Sequence, residues 1–401
     1  MRFHRRGLPR ETHLTGRFIV AGAVSLVAWA ALGIVSPPAT VLWSQEMRAA
    51  AEIMEEAVAV VARRAVELGL QLDPTLDPNR TGLVGPEYTP LFTTLGQLEA
   101  KRTTTNPDMA ALLAHLLRVA GVEPGDTVAV GASGSFPALL IATLAAARAM
   151  EVYPVTILSL GASSYGATRP ELHLLAIHEH LEASHIVDTP PAAVSLGGRK
   201  DVGGEFDPSF RDRLREDIRG SGTLLIEEAD LRANVDRRME IYRGPPVSGG
   251  SSSEARGGCG PAGDSGRIAA FVSIGGSYAS LGTSPRVLEV PPGLVGEVAE
   301  SALPDPPERG VLFEMAAGGV PVIHLLHVRG LALRHGLPWD PVPFPPVGTT
   351  DLTVGEVGEG WAFWLVTAAY AVALGIVAWW DRLSRRRRPR QERPPVRQPL
   401  S

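Results

Sequence analysis

Three apolar runs in this chain each end in a loop rich in glycine and serine. The runs at 127–130, 155–160 and 268–274 lead into GASGSFP (131–137), GASSYG (161–166) and GGSY (275–278). An alanine-rich, helix-like run at 138–150 separates the first two. A strand, a helix and a second strand in this order form a βαβ unit, which indicates a parallel sheet. In an open α/β sheet, the loops after the carboxyl ends of the strands converge on a ligand crevice.

Further apolar patterns extend this α/β domain, which we predict to be a three-layer unit with a mostly parallel sheet over 71–337. Helices are predicted at 44–69, 106–121, 171–184, 211–220, 231–242 and 308–317, and strands at 223–226 and 320–326. Ser44 and Gly69 bound the first helix as cap and stop, and we interpret 44–70 as a juxtamembrane stalk. The Gly/Ser-rich stretch 245–267 predicts a disordered insertion, and the Pro-rich stretch 338–360 predicts a linker.

The two chain ends carry long uncharged runs. Residues 18–35 and 361–380 contain no charged side chain, and each run is long enough to predict a transmembrane helix. Arginine-rich tails at 1–17 and 381–401 flank them, which predicts two cytoplasmic termini and an extracytoplasmic central domain anchored twice in the inner membrane. A cleaved signal peptide is the alternative for the first run, although the run is longer than a typical signal core and lacks a small-x-small cleavage site.

Charge and cysteine content limit the possible partners. The formal net charge is −5, and because the tails carry +4 and +6, residues 18–380 carry −15. Nonspecific nucleic-acid binding depends on basic side chains that neutralise phosphates, so no nucleic-acid partner is expected. The basic tails are instead expected to contact the lipid bilayer. The single cysteine, Cys259, excludes an internal disulfide. Arginine provides 36 of the 38 basic residues, which we interpret as codon bias.

The GASGSFP loop has two interpretations, an anion-binding site and a helix cap. Unpaired N–H groups at a helix start bind anions, and glycine lets a ligand approach the backbone. Alternatively Ser135 caps the helix, Pro137 fills its first turn and the glycines make the turn. The candidate ligand-binding residues in the three loops are Gly131, Ser133, Gly134, Ser135, Gly161, Ser163, Ser164, Gly275, Gly276 and Ser277.

Serine catalysis is a second hypothesis, with Ser133 or Ser163 as nucleophile and His324 or His327 as base. Neither loop matches Gly-x-Ser-x-Gly, because Ser135 and Tyr165 stand where the last glycine belongs.

The histidines at 173, 178, 180 and 185 lack the i, i+4 spacing of a metal pair and are interpreted as a solvated helix face. Asp188, Asp201 and Asp207 could hold a cation, but solvated acidic loops are commoner. We expect no metal and no cofactor.

The same loops resemble the poly-γ-glutamate system proteins, which are membrane proteins associated with making and exporting that polymer. The motifs that carry the resemblance are GASGSFP (131–137), GASSYG (161–166), GGRKDVG (197–203), IGGSYASLG (274–282), GVPVIHLLH (319–327) and GLAL (330–333). The resemblance spans roughly 45–345 and implies a membrane-anchored component of polymer synthesis or export that binds the polymer or a synthase or export subunit. It implies no catalytic residues. An extracytoplasmic serine-dependent hydrolase or amide transferase acting on the polymer, and a purely structural scaffold, are the alternatives.

Overall fold

The computed structural model describes residues 12–35, 39–244, 267–296, 298–354 and 361–386. The chain forms one compact unit over Thr40–Thr353 and a second unit from its two ends. The predicted insertion at 245–267 lies outside the described residues except for its last residue. So do residues 1–11 and 387–401, which hold most of the predicted tails.

Helices and strands alternate through the larger unit. In chain order the elements are α1 (Thr12–Val35), β1 (Ala39–Thr40), α2 (Gln45–Glu67), β2 (Phe92–Thr94), α3 (Leu98–Thr104), α4 (Asp108–Val119), β3 (Thr127–Ser133), α5 (Pro137–Ala149), β4 (Tyr153–Ser159), β5 (Ala162–Ser163), α6 (Leu174–Ala183), β6 (Ala193–Ser195), α7 (Pro208–Gly220), β7 (Leu225–Ile226), α8 (Leu231–Arg243), β8 (Ile268–Ile274), α9 (Tyr278–Leu281), β9 (Gly293–Val295), α10 (Val311–Ala317), β10 (Val322–Leu325), α11 (Val328–His335), β11 (Thr353–Val354) and α12 (Trp361–Arg386). The predicted α/β class is confirmed.

A seven-stranded sheet with the order β7-β6-β4-β3-β8-β10-β9 forms the centre of the domain. Its strand pairs are parallel except for β9, which runs antiparallel to β10. From β3 the chain builds outward through β4, β6 and β7, then returns to place β8 on the other side of β3. The strand order therefore reverses between β3 and β8, which is the position where open α/β sheets bind ligands.

Both faces of the sheet are covered, so the domain has three layers. Alternate residues of β3 enter different cores: Val128, Val130 and Ala132 pack in one cluster with α2, α4 and α5, while Ala129 packs in the other with α8 and α10. This alternation follows from the two-residue period of a strand. The mostly parallel, three-layer arrangement is thus as predicted.

Helix α2 belongs to the domain core, so its interpretation as a stalk is wrong. Ser44 caps it as predicted, with its hydroxyl accepting a hydrogen bond from the Met47 N–H at 3.2 Å. One face of the helix is fully buried, including Met54, Ala57 and Val61. The amphipathic pattern reports this apolar face correctly, but the face packs against α4 and α5.

The segment predicted as the start of a linker is also part of the domain. Asp108, buried at the start of α4, accepts hydrogen bonds from the Gly348 N–H at 3.3 Å and from the Thr350 hydroxyl. Asp340 forms an ion pair with Arg102. The chain enters and leaves the unit side by side, because the Val41 N–H donates to the Leu352 carbonyl oxygen at 2.7 Å.

The second unit contains the helices α1 and α12, which cover the two uncharged runs. Within this unit the Ser25 and Tyr370 hydroxyls are hydrogen-bonded at 2.8 Å. Among the residues whose placement is described, no helix combines the length and the apolar character needed to cross a bilayer.

Candidate functional site

A cleft of about 560 Å³ opens at the carboxyl ends of the parallel strands. The residues that follow five neighbouring strands line it: Ser135 and Phe136 after β3, Gly161 and Ser163 after β4, Gly197–Arg199 after β6, Gly276–Tyr278 after β8, and His327–Arg329 after β10. The three Gly/Ser loops singled out in the sequence therefore meet at one cleft, beside the point where the strand order reverses.

The GASGSFP and GASSYG loops are fitted against each other by backbone contacts. The Gly134 N–H donates to the Ser159 carbonyl oxygen at 2.8 Å, and the Ala167 N–H donates to the Gly134 carbonyl oxygen at 2.7 Å. A Cβ at Gly134 would lie 2.5 Å from the carbonyl oxygen of Leu160, so only glycine permits this approach. The Ser135 hydroxyl accepts a hydrogen bond from the Ser163 N–H at 3.0 Å and fixes Ser163 at the cleft.

A fourth loop, GGRKDVG, packs on the second. Gly197 has φ +75°, and a Cβ there would lie 2.6 Å from the Gly161 nitrogen. A buried ion pair holds the loop from below: Arg238 Nη2 donates to Asp201 Oδ2 at 2.6 Å. The same nitrogen reaches the Ser195 hydroxyl at 2.7 Å. This network joins the ends of β4 and β6 to α8 under the floor of the cleft.

A lysine and a serine are in contact inside the cleft. Strand β2 pairs in parallel with β5, and the chain then turns into α3, which places Lys101 over Ser163. Lys101 Nζ lies 2.7 Å from Ser163 Oγ and donates to the Ser135 carbonyl oxygen at 2.5 Å. It also lies 3.6 Å from the centroid of the Phe136 ring.

Lys101 is an uncompensated buried amine. The residue is 3 % exposed, and within the described part of the chain it forms no ion pair with a carboxylate. Burial lowers the pKa of Lys101 to about 7, because the charged form loses its hydration. A large fraction of the amine is therefore neutral near neutral pH, and a neutral amine within hydrogen-bond distance of a hydroxyl can act as its general base.

The backbone at Gly96 comes unusually close to this pair. A Cβ at Gly96 would lie 2.6 Å from the Ser164 carbonyl oxygen, 3.1 Å from Ser163 Oγ and 3.2 Å from Lys101 Cε. The absence of a side chain at this position lets the segment between β2 and α3 cover the pair.

The sequence candidates separate into those that line the cleft and those that do not. Ser133, Ser135, Gly161, Ser163, Gly276 and Ser277 line it, whereas Gly131, Gly134, Ser164, Gly275 and His324 do not. Gly131 lies inside β3, where a Cβ would meet the Phe271 ring at 3.2 Å. Gly275 has φ +77°, and a Cβ there would overlap the Ser133 hydroxyl.

The hypothesis of a Ser133–His324 pair is not supported. His324 is buried in β10, and burial lowers its pKa to about 4. Among the described residues neither His324 Nδ1 nor the Ser133 hydroxyl has a hydrogen-bond partner, so the two do not bond to each other. His327 lines the cleft; it follows β10 and is the N-cap residue of α11.

Two of the four histidines predicted to form a solvated helix face are buried, whereas His180 is half-buried and His185 is exposed. His173 caps α6, with its Nδ1 accepting the Ala176 N–H at 3.2 Å, and His178 is fully buried. Burial lowers the pKa of His178 to about 4. Of the acidic candidates for a cation, Asp201 is paired with Arg238 and Asp207 caps α7. No group of three or more His, Cys, Asp or Glu side chains comes together among the described residues.

Lys101 was missed from the sequence because the region 86–105 shows no clear periodicity and α3 is only seven residues long. A signal was nevertheless present. Lysine occurs only at positions 101 and 200, against 36 arginines, so the chain uses arginine almost wherever a cation suffices. An amine whose pKa can be lowered by burial is the property that arginine cannot provide.

Comparison with known proteins adds no relative. No protein-family model matches the chain, and neither a curated protein nor a solved structure matches it.

Proposed function

We propose that the protein is a serine-dependent acyl hydrolase or amide transferase, with Ser163 as nucleophile and Lys101 as general base. The observation that carries the proposal is the 2.7 Å contact between Ser163 Oγ and a buried Lys101 whose pKa is lowered to about 7. Lysine and other charged residues are almost never fully buried without a partner, and strongly perturbed pKa values cluster at functional sites.

The reaction follows from these two groups. Ser163 Oγ attacks the carbonyl carbon of the substrate amide while Lys101 Nζ takes the hydroxyl proton. The C–N bond then breaks, and the proton on Lys101 passes to the departing nitrogen, which leaves an acyl ester on Ser163. Water or an amine next attacks this ester, Lys101 takes its proton, and the proton returns to Ser163 Oγ as the product leaves. Water gives hydrolysis and an amine gives transfer.

The substrate that we propose is poly-γ-glutamate, which makes the protein a component of the synthesis or export of that polymer. The support is the resemblance of the cleft-lining loops and the presence of the exposed Arg199 and Arg329 in the cleft. The charge of Arg329 would attract a chain of carboxylates. Glu205, which also lines the cleft, lies beside Arg199 and offsets its charge. Because residues 18–380 carry −15 in total, the rest of the domain repels such a chain, and binding should depend chiefly on Arg329.

The test incubates purified poly-γ-glutamate with the protein and measures the polymer length by size-exclusion chromatography. Wild-type protein should shorten the polymer, and Ser163→Ala and Lys101→Met should each lower the rate by at least about 10³-fold. Ser164→Ala is the matched control, because Ser164 is an adjacent buried serine whose hydroxyl has no partner among the described residues. Ser133→Ala should also retain activity.

A non-catalytic role is the alternative, in which the same cleft binds the polymer or a synthase subunit. Polymer that co-purifies with the wild-type chain and with Ser163→Ala alike, without any shortening or transfer, would establish this role and exclude the enzyme. If Ser163→Ala and Arg329→Ala both kept polymer binding and polymer output, a purely structural scaffold would be favoured instead.

We also propose that the domain lies on the outer side of the inner membrane, held by the two chain ends with both termini cytoplasmic. The support is the sequence of those ends, uncharged at 18–35 and 361–380 and flanked by arginines. A membrane-impermeant maleimide should label Cys259, the only cysteine, in intact spheroplasts. In a Cys259→Ser variant that also carries Ser401→Cys, labelling should require permeabilisation. The opposite pattern would place the domain inside the cell.

A further inference from the structure

An aromatic ring covers the amine of the proposed dyad. Phe136 directly follows the residue whose carbonyl oxygen accepts from Lys101, and its ring centroid lies 3.6 Å from Nζ. Phe136 is 7 % exposed and immediately precedes Pro137, the first residue of α5. One backbone segment, Ser135–Phe136, therefore supplies two of the three neighbours of Lys101 Nζ.

The chemistry of the three neighbours assigns the hydrogens. A carbonyl oxygen and the face of an aromatic ring can accept a hydrogen bond but cannot donate one. The Ser163 hydroxyl is thus the one of the three that can give a proton to nitrogen. A neutral amine has two N–H groups and one lone pair. If the carbonyl and the ring each take one N–H, the lone pair must face Ser163.

We propose that Phe136 is a positioning residue, whose ring face takes one N–H of neutral Lys101 so that the lone pair is directed at the Ser163 hydroxyl. The inference rests on the proposed function and deepens it, because it explains how a lysine with freely rotating hydrogens is held as a base. The Ser135 carbonyl alone would leave the amine free to turn about that bond, with the lone pair directed at Ser163 only part of the time.

The ring also acts on the protonated state. The negative face of an aromatic ring attracts an ammonium group, so Phe136 opposes the effect of burial on Lys101. Weakening the ring face without changing its size should therefore lower the pKa of Lys101 further and loosen the orientation of the neutral amine. Both effects can be measured in one pH profile.

The experiment replaces Phe136 in the full-length protein by phenylalanines with one, two and three ring fluorines, introduced by suppression of a stop codon. Fluorine withdraws the negative potential from the ring face and keeps the ring nearly the same size. The probe is p-nitrophenyl acetate, with the rate of Ser163→Ala subtracted. Across the series we expect kcat to fall about tenfold at little change in KM. The acidic limb of the kcat profile should move to lower pH by up to about one unit.

Two further variants separate orientation from packing. Phe136→Tyr keeps the ring face and should match wild type in kcat and in the pH profile. Phe136→Leu removes the ring face and should have a lower kcat than wild type. Trifluorophenylalanine at Phe313, which is also buried and lies in α10, should change neither quantity.

Two results would overturn the inference while leaving the dyad intact. In the first, fluorination has no effect on kcat or on the limb although Phe136→Leu lowers kcat, so the ring only fills space. In the second, Phe136→Leu matches wild type. If wild-type protein hydrolyses the probe no faster than Ser163→Ala, the proposed function fails and the role of Phe136 fails with it.

Discussion

At the scale of single residues, Lys101 is the group whose position is hardest to explain by stability alone. A buried ammonium group without a carboxylate partner opposes folding, since its hydration is lost and nothing of opposite charge replaces it. The neighbours are a carbonyl, a hydroxyl and a ring, which orient an amine better than they neutralise a charge. The residue is therefore expected to lower stability and to be retained for chemistry.

Lys101→Met should stabilise the protein and abolish catalysis. Because the pKa of Lys101 is lowered from 10.5 to about 7 in the folded state, the unfolded chain binds more protons between these values. The free energy of unfolding of wild-type protein should therefore rise with pH across that window, by up to about 1.4 kcal/mol per pH unit.

Urea unfolding of both proteins between pH 6.5 and 9 checks this, and their difference isolates the residue. At pH 7 the variant should be more stable by a few kcal/mol, and its advantage should shrink as the pH rises. A difference that does not depend on pH would mean that the lysine is not titrating in this window.

Gly96→Ala tests the close approach of the covering segment. The new Cβ would lie 2.6 Å from a backbone oxygen of the 161–166 loop and 3.1 Å from Ser163 Oγ, so the segment must move away from the dyad. We expect kcat/KM for p-nitrophenyl acetate to fall at least about tenfold, since displacements near 1 Å cost about that much or more. Gly220→Ala, at the end of α7, is the control for glycine replacement, because no atom lies within 4 Å of the new Cβ and the backbone φ there is not positive.

At the scale of elements, strands and helices with a clear period were predictable and short irregular ones were not. The βαβ unit was placed within a few residues, because its strands are apolar and its helix is bounded by Pro137 and Met150. The elements that complete the dyad, β2 and α3, have three and seven residues and too few repeats to show a period. The convergence of the Gly/Ser loops follows from the parallel sheet, but the contact between Lys101 and Ser163 depends on the pairing of β2 with β5, which no local pattern encodes.

Helix α2 shows that an amphipathic pattern identifies a buried face without identifying its partner. Met54 is fully buried on that face, whereas Glu55 is exposed. Met54→Ala should lower the free energy of unfolding by about 2–5 kcal/mol through lost burial and the cavity left behind. Glu55→Ala on the same helix should change it by less than about 0.5 kcal/mol. If urea unfolding showed the same small change in the free energy of unfolding for both variants, the helix would not belong to the core and the interpretation as a stalk would stand.

At the scale of the whole molecule, the domain includes more chain than its sequence pattern suggested. Both hydrophobic clusters lie within Thr40–Thr353, and α2 and the segment 338–353 contribute contacts to the unit. A fragment of residues 40–353 should therefore fold cooperatively and hydrolyse p-nitrophenyl acetate at the full-length rate. Circular dichroism melting and the ester assay check this, and a fragment of 71–337 should fail to fold because it lacks α2. Folding of the shorter fragment would contradict the assignment of the core.

The two edges of the central sheet are short. Strand β7 has two residues and β9 has three, so each edge offers only a few unpaired backbone groups to another chain. Long open edges are templates for pairing between molecules, and short ones resist it. A domain built this way can be concentrated without joining its neighbours through their sheets.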